Sequence, residues 1–142
     1  ELSKVIDFKR IALKVMGKNV RVASAEQRVK FIEIFKNTLF ETYASVLLDS
    51  ADVEISVLNA SINSRNKDKA NVNIVINGSG GASYDVTYAL HKGKDSIYRV
   101  ENIIVMGINL GLAYKDRFQE LVVVHKGNID LVISNWSFKK TS

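Results

Sequence analysis

Two histidines, His91 and His125, and a glycine-rich run, Asn77-Gly-Ser-Gly-Gly81, are the residues of this chain whose types most readily do chemistry. An imidazole can move a proton near neutral pH or ligate a metal, and closely spaced glycines let backbone N–H groups approach a phosphate. Neither reading finds the company it needs. The glycine run lies between two strand patterns and lacks the Gly-Lys-Ser/Thr ending that leads a phosphate loop into a helix, so it reads as a hairpin turn. His91 falls at a strand end beside Lys92, and His125 falls in the last turn of a helix, where the dipole favours a cation. The chain has no cysteine, which excludes disulfides, thiolate zinc sites and a cysteine nucleophile. It also lacks an HExxH pair, a calcium loop and a Gly-x-Ser-x-Gly elbow. Asp49 and Asp52 flank a helix–strand junction as ordinary solvated acids. The sequence therefore predicts no catalytic residue, no metal ligand and no cofactor.

What remains is apolar surface, and the elements that carry it follow from its spacing. Ser24 and Gln27 form a capping box ahead of a long helix running to about Asp49, whose stripe is Phe31, Ile32, Phe35, Leu39, Tyr43, Val46 and Leu47. A shorter helix, Lys4 to Met16 with Ser3 as cap, precedes it and stops at Gly17. After Asp49 the period changes to two. Val53, Ile55 and Val57, then Val72, Ile74 and Ile76, then Tyr84, Val86, Tyr88 and Leu90 alternate with polar residues, and a fourth strand runs from about Ser96 to Met106. Short turn-like connectors imply an antiparallel meander. Gly107 turns the fourth strand sharply, Asn109 is placed to cap a helix through Leu110, Ala113, Phe118, Leu121 and Val124, and Asn128 opens a last helix. The fold class is α+β: N-terminal helices, a curved four-stranded antiparallel sheet and C-terminal helices, residues 1–142 forming one domain. The sheet's apolar face must be covered by those helices, and the layers can enclose an apolar cavity as readily as a filled core.

Charge narrows the partners. Twenty basic against fifteen acidic residues give a net charge of +5, which favours an anionic partner. The basic residues are interleaved with acids and lack the aromatic clustering of a nucleic-acid platform, so no nucleic acid is expected. The longest nearly apolar stretch, residues 103–114, is well short of the roughly 20 residues that span a bilayer.

With the elements in order, the chain resembles the MlaC, or toluene-tolerance, family of periplasmic phospholipid-binding proteins. The resemblance is carried by Asp7-Phe-x-x-Ile11 with Val15-Met-Gly17, by Ala23-Ser-Ala-Glu-Gln-Arg28 and the long stripe after it, and by Glu101-x-x-x-Val105-x-Gly107-Ile108-Asn109 with Phe118 and the Lys126-Gly127 stop. It departs near the end, where Gly127-Asn-Ile-Asp130-Leu131 displaces the family's aspartate and loses its second glycine. The resemblance implies a non-enzymatic carrier in the periplasm, with phospholipid as its bound ligand. Its implied partners are an inner-membrane ABC transporter complex, an outer-membrane lipoprotein complex and, transiently, the membrane surface. On that reading the expected cavity walls are Tyr43, Leu47, Val86, Tyr88, Val105, Ile108, Leu112 and Phe118. Two other functions stay open: a carrier of a different amphiphile such as a hopanoid, and a small-molecule enzyme on a cone-shaped α+β fold, which would need a buried acid–base pair.

Overall fold

The computed structural model describes residues 4–48, 54–78 and 81–137, and within 42–48 the backbone alone. The chain forms two compact units, one of Glu1–Asp7 with Asp49–Leu110 and one of Phe8–Leu48 with Gly111–Ser142.

The second unit is helical. Helix α1, Phe8–Met16, buries Phe8, Ala12, Val15 and Met16, the spacing of one helical face. It begins four residues later than the sequence predicts. Ile6 instead forms a parallel bridge to Val100, in which Val100 N–H donates to the Val5 carbonyl at 2.7 Å and Asp7 N–H donates to the Val100 carbonyl at 3.0 Å. Those bonds occupy backbone groups that another helical turn would have used. Ser3, the expected cap, lies outside the described residues. Gly17, at φ 60°, ends α1 and opens a 3₁₀ turn, Gly17–Val20. The capping box forms as predicted: Gln27 N–H donates to Ser24 Oγ at 3.1 Å and Ser24 N–H donates to Gln27 Oε1 at 2.8 Å. It opens α2, Ala25–Leu48. Helix α3, Leu110–Val124, ends through Lys126 and Gly127 at positive φ, and α4, Ile129–Ser134, is capped by Asn128, whose side chain accepts from Leu131 N–H at 3.2 Å.

This unit's core is aromatic. Phe31 meets Phe118 edge-on at 5.0 Å and Trp136 edge-on at 5.2 Å, and Phe35 packs against Phe31 at 5.8 Å. Such pairs add roughly 0.5–1.5 kcal/mol each beyond the area they bury. Trp136 lies just past α4 rather than on it, yet it is as buried as the helix residues Val132 and Ile133 that precede it.

The first unit is an antiparallel sheet in sequential order: β1, Glu54–Ile62; β2, Lys69–Asn77; β3, Ser83–Lys92; β4, Tyr98–Val105; and β5, Ile108–Asn109. The fifth strand is an addition to the expected four. Met106 and Gly107, at φ 52° and 80°, make a two-residue turn of the mirror-image kind, so the corner after β4 folds straight back and pairs Ile108 with Val105 before α3 begins. Asn109 belongs to that strand, and its side-chain oxygen accepts from Asn102 Nδ2 at 2.8 Å.

Candidate functional site

The pairing register separates the sheet into two chemically different faces. Val57 is opposite Ile74, Ile74 opposite Val86, Val86 opposite Val105 and Val105 opposite Ile108, so one row of branched aliphatic side chains crosses all five strands. Directly paired residues point to the same side, and alternation puts their second neighbours there too. The same face therefore carries Ile55, Ile76 and Tyr84 in one flanking row and Ala60, Val72, Tyr88 and Ile103 in the other. The row beyond is Ile62, Ala70, Leu90 and Val100.

The opposite face is the more polar one, with Val75, Ala89 and Ile104 as its apolar members, and its polar side chains bond to one another. Asn73 Nδ2 donates to Asn59 Oδ1 at 2.6 Å, and Thr87 Oγ1 donates to Asn73 Oδ1 at 2.7 Å, forming a side-chain ladder across three strands. Ser56, Ser61, Asn71, Asp85 and Asn102 share that side.

Two β-bulges keep the apolar face continuous. A residue added to a strand shifts which side its successors face. Leu58 is the extra residue between Val57 and Asn59, and Glu101 the extra residue between Val100 and Asn102. Were Leu58 paired as a regular strand residue, Ala60 and Ile62 would turn to the polar side; were Glu101 so paired, Val100 would turn with them. Each bulge converts a break in the apolar period into a continuous apolar face.

This face is not uniformly buried. Val86 is 5% exposed at its centre, whereas Val57 on the edge strand is 67% exposed, and Ile55, Ile62, Tyr84 and Ile108 are also exposed. An apolar face left open along one side is a surface that water solvates poorly and an apolar ligand can cover.

Of the eight residues expected to line a cavity, Val86, Tyr88, Val105 and Ile108 lie together on this face. Leu112, on the first turns of α3, is exposed, and Phe118, further along α3, is fully buried in the aromatic core of the helical unit. Tyr43 and Leu47 fall where side chains lie outside the described residues. The expected set omitted Ile55, Val57, Ile74 and Ile76, although the strand alternation that marks them is plain in the sequence. What the alternation could not give is the register that aligns them with Val86.

Polar chemistry is sparse. Among the described residues no group of three or more His, Asp or Glu side chains is placed to hold a metal ion, and no helix is long and apolar enough to cross a membrane. A cleft of about 200 Å³ in the helical unit is lined by Met16, Gly17, Lys18, Lys115, Asp116 and Gln119. Four of those six residues, Lys18, Lys115, Asp116 and Gln119, are charged or amide-bearing, and the volume falls below the roughly 300–1,000 Å³ of ligand pockets. Asp95 is held below the ordinary carboxylate range by its hydrogen bonds from Arg99, in an exposed turn rather than a cavity.

Comparison with known proteins adds to this geometry. The sequence profile of the MlaC protein matches residues 1–137. The toluene tolerance protein ttg2D of Pseudomonas putida is 31% identical over 137 residues, 96% of this chain and 62% of that protein, so the chain spans less than two-thirds of its relative's length. The solved structure of a phospholipid-binding protein from Ralstonia solanacearum, in complex with a phospholipid, superposes with a TM-score of 0.79 at 22% identity, covering 91% of this chain and 70% of that one. At that identity the likeness is one of fold.

Proposed function

The chain belongs to the MlaC family, and from that premise we propose that it is a phospholipid-binding carrier of the periplasm. In this reading it takes glycerophospholipid between an inner-membrane ABC transporter complex and an outer-membrane lipoprotein complex, and so maintains the lipid asymmetry of the outer membrane. It binds and transports; it does not catalyse. The phospholipid named for the Ralstonia solanacearum relative and the toluene tolerance named for the Pseudomonas putida relative support the ligand and the setting.

The observation that carries the proposal is the aliphatic row from Val57 to Ile108, extended by its flanking rows into one apolar sheet face. Two acyl chains hold on the order of thirty methylenes, and at about 0.8 kcal/mol each their exposure to water costs roughly 24 kcal/mol. A protein face of branched aliphatic side chains offsets that cost. A bilayer offsets it equally well, so exchange between carrier and membrane runs close to balance. Partners can then bias the direction by modest contacts. No proton transfer is required.

Aspartate substitutions at exposed points of the face test this. Val57→Asp and Ile108→Asp place a charge where acyl chains would lie, at positions solvated enough to spare the fold. Phospholipid recovered with these variants from a bacterial host should fall steeply, while Ser61→Asp on the polar face retains it. Equal lipid content in all three would remove the sheet face from the binding site.

A further inference from the structure

The two ends of the sheet differ sharply in charge. At the end where β1 turns into β2 and β3 into β4, residues 63–69 and 92–99 hold Arg65, Lys67, Lys69, Lys92, Lys94 and Arg99 against only Asp68 and Asp95. At the other end, residues 54–56, 76–86 and 104–109 hold Glu54 and Asp85 and neither Lys nor Arg.

The basic end is a built surface. Lys92 N–H donates to the Asp68 carbonyl at 2.7 Å, and the Tyr98 hydroxyl donates to the Lys67 carbonyl, so the two turns are tied side by side. Asn63 Oδ1 accepts from Arg65 N–H at 2.8 Å and from Asn66 N–H at 3.0 Å, which fixes the first turn's shape. Lys92 pairs with Asp68, Arg99 with Asp95 and Lys69 with Glu101. Arg65, Lys67 and Lys94 are exposed and make no ion pair among the described residues. Among these cations stands an apolar side chain, Ile97, 49% exposed at the base of the β3–β4 turn that forms this tip of the sheet, where its carbonyl accepts from Gly93 N–H at 3.0 Å, with Ile62 exposed at the end of β1.

We propose that this tip docks the protein onto an anionic phospholipid bilayer, with Arg65, Lys67 and Lys94 against the headgroup phosphates and Ile97 entering the interface. Charge complementarity selects the occupant. Basic residues flanking an exposed aliphatic side chain match a surface that is anionic outside and apolar beneath. The preference for a bilayer over an acidic protein rests on the lipid-carrier reading.

The test is flotation with vesicles of phosphatidylglycerol and phosphatidylcholine in equal parts, compared with phosphatidylcholine alone. The protein should float with the anionic vesicles only and be released by salt, because the attraction is screened within a Debye length. The triple variant Arg65→Ala/Lys67→Ala/Lys94→Ala should lose about a hundredfold in partitioning, at roughly fivefold per charge. Ile97→Asn should weaken binding further. A control of equal charge loss in the helical unit, Lys9→Ala/Arg21→Ala/Lys30→Ala, should keep it. Lipid recovered per chain is measured on every variant. A tip variant that retains its lipid but no longer floats supports docking as a role separate from carriage. Wild-type protein that floats yet carries no lipid supports docking while removing the carrier reading. Flotation unaffected by the tip variant, equal binding to neutral vesicles, or retention only by an acidic protein would overturn the proposal.

Discussion

The Glu101 carboxylate, 5% exposed, accepts a 2.6 Å hydrogen bond from Lys69 Nζ, reaching from β4 across β3 to β2. Glu101 is also the bulge residue that sets the facing of β4, so the ion pair and the change in strand parity occupy one position. Lys69→Ala would remove the ammonium hydrogen bond from a desolvated carboxylate. The expected cost is about 2 kcal/mol, below the roughly 3–5 kcal/mol of a fully buried pair because Lys69 is 40% exposed. The midpoint of urea unfolding measures it, and an unchanged midpoint would mean that solvent already screens the pair.

Met106 adopts φ 52° in the turn between β4 and β5, a region that disfavours a side chain of its kind. Asn-Gly is the preferred pair for such a turn. Met106→Asn should raise stability by about 0.5–1 kcal/mol, less whatever the Asp85 N–H contact to the Met106 sulfur at 3.3 Å contributes. A higher thermal midpoint checks it.

The Asp95 carboxyl titrates below its ordinary value because Arg99 donates to both its oxygens, at 3.1 and 2.7 Å, and Ile97 N–H donates to one of them. Its folded pKa is depressed, so the stability it adds is complete above the unfolded value of about 3.8 and fades as pH falls through the lower folded value. An NMR titration of the carboxyl carbon should show the depressed midpoint, and Arg99→Gln should return it toward the ordinary range.

Phe118 has no exposed surface and stacks edge-on to Phe31 in the helical core. Phe118→Ala should cost about 3–5 kcal/mol, read from denaturant unfolding. Ile108→Ala, at an exposed position of the sheet face, should leave the unfolding midpoint nearly unchanged.

Local chemistry was legible in the sequence wherever it acts over a few residues. The Ser24–Gln27 box and the Asn128 cap depend on neighbours within one turn and form as read, and Gly107 does turn the chain, although into a fifth strand holding Asn109 rather than directly into a helix that Asn109 caps. The α+β order and the family resemblance were legible for the same reason, since both rest on patterns along the chain. Long-range pairing was not. The late start of α1 comes from Val100 bonding residues 5–7, nearly a hundred positions away, and β5 exists because the turn at Met106 places Ile108 against Val105. The two bulges were hidden for a subtler reason. Leu58 looks like part of a run and Glu101 like a polar member of an alternation, yet each is the extra residue that reverses facing. For the site, half of the expected residues lie on one face, but recognising that face as a sheet-wide surface needed the register.

Native mass spectrometry of the protein purified from a bacterial host, followed by extraction and identification of the lipid, tests the central claim most directly. Diacyl phospholipid is expected at close to one molecule per chain. Protein that arrives empty, and stays empty after incubation with phospholipid vesicles, would contradict it.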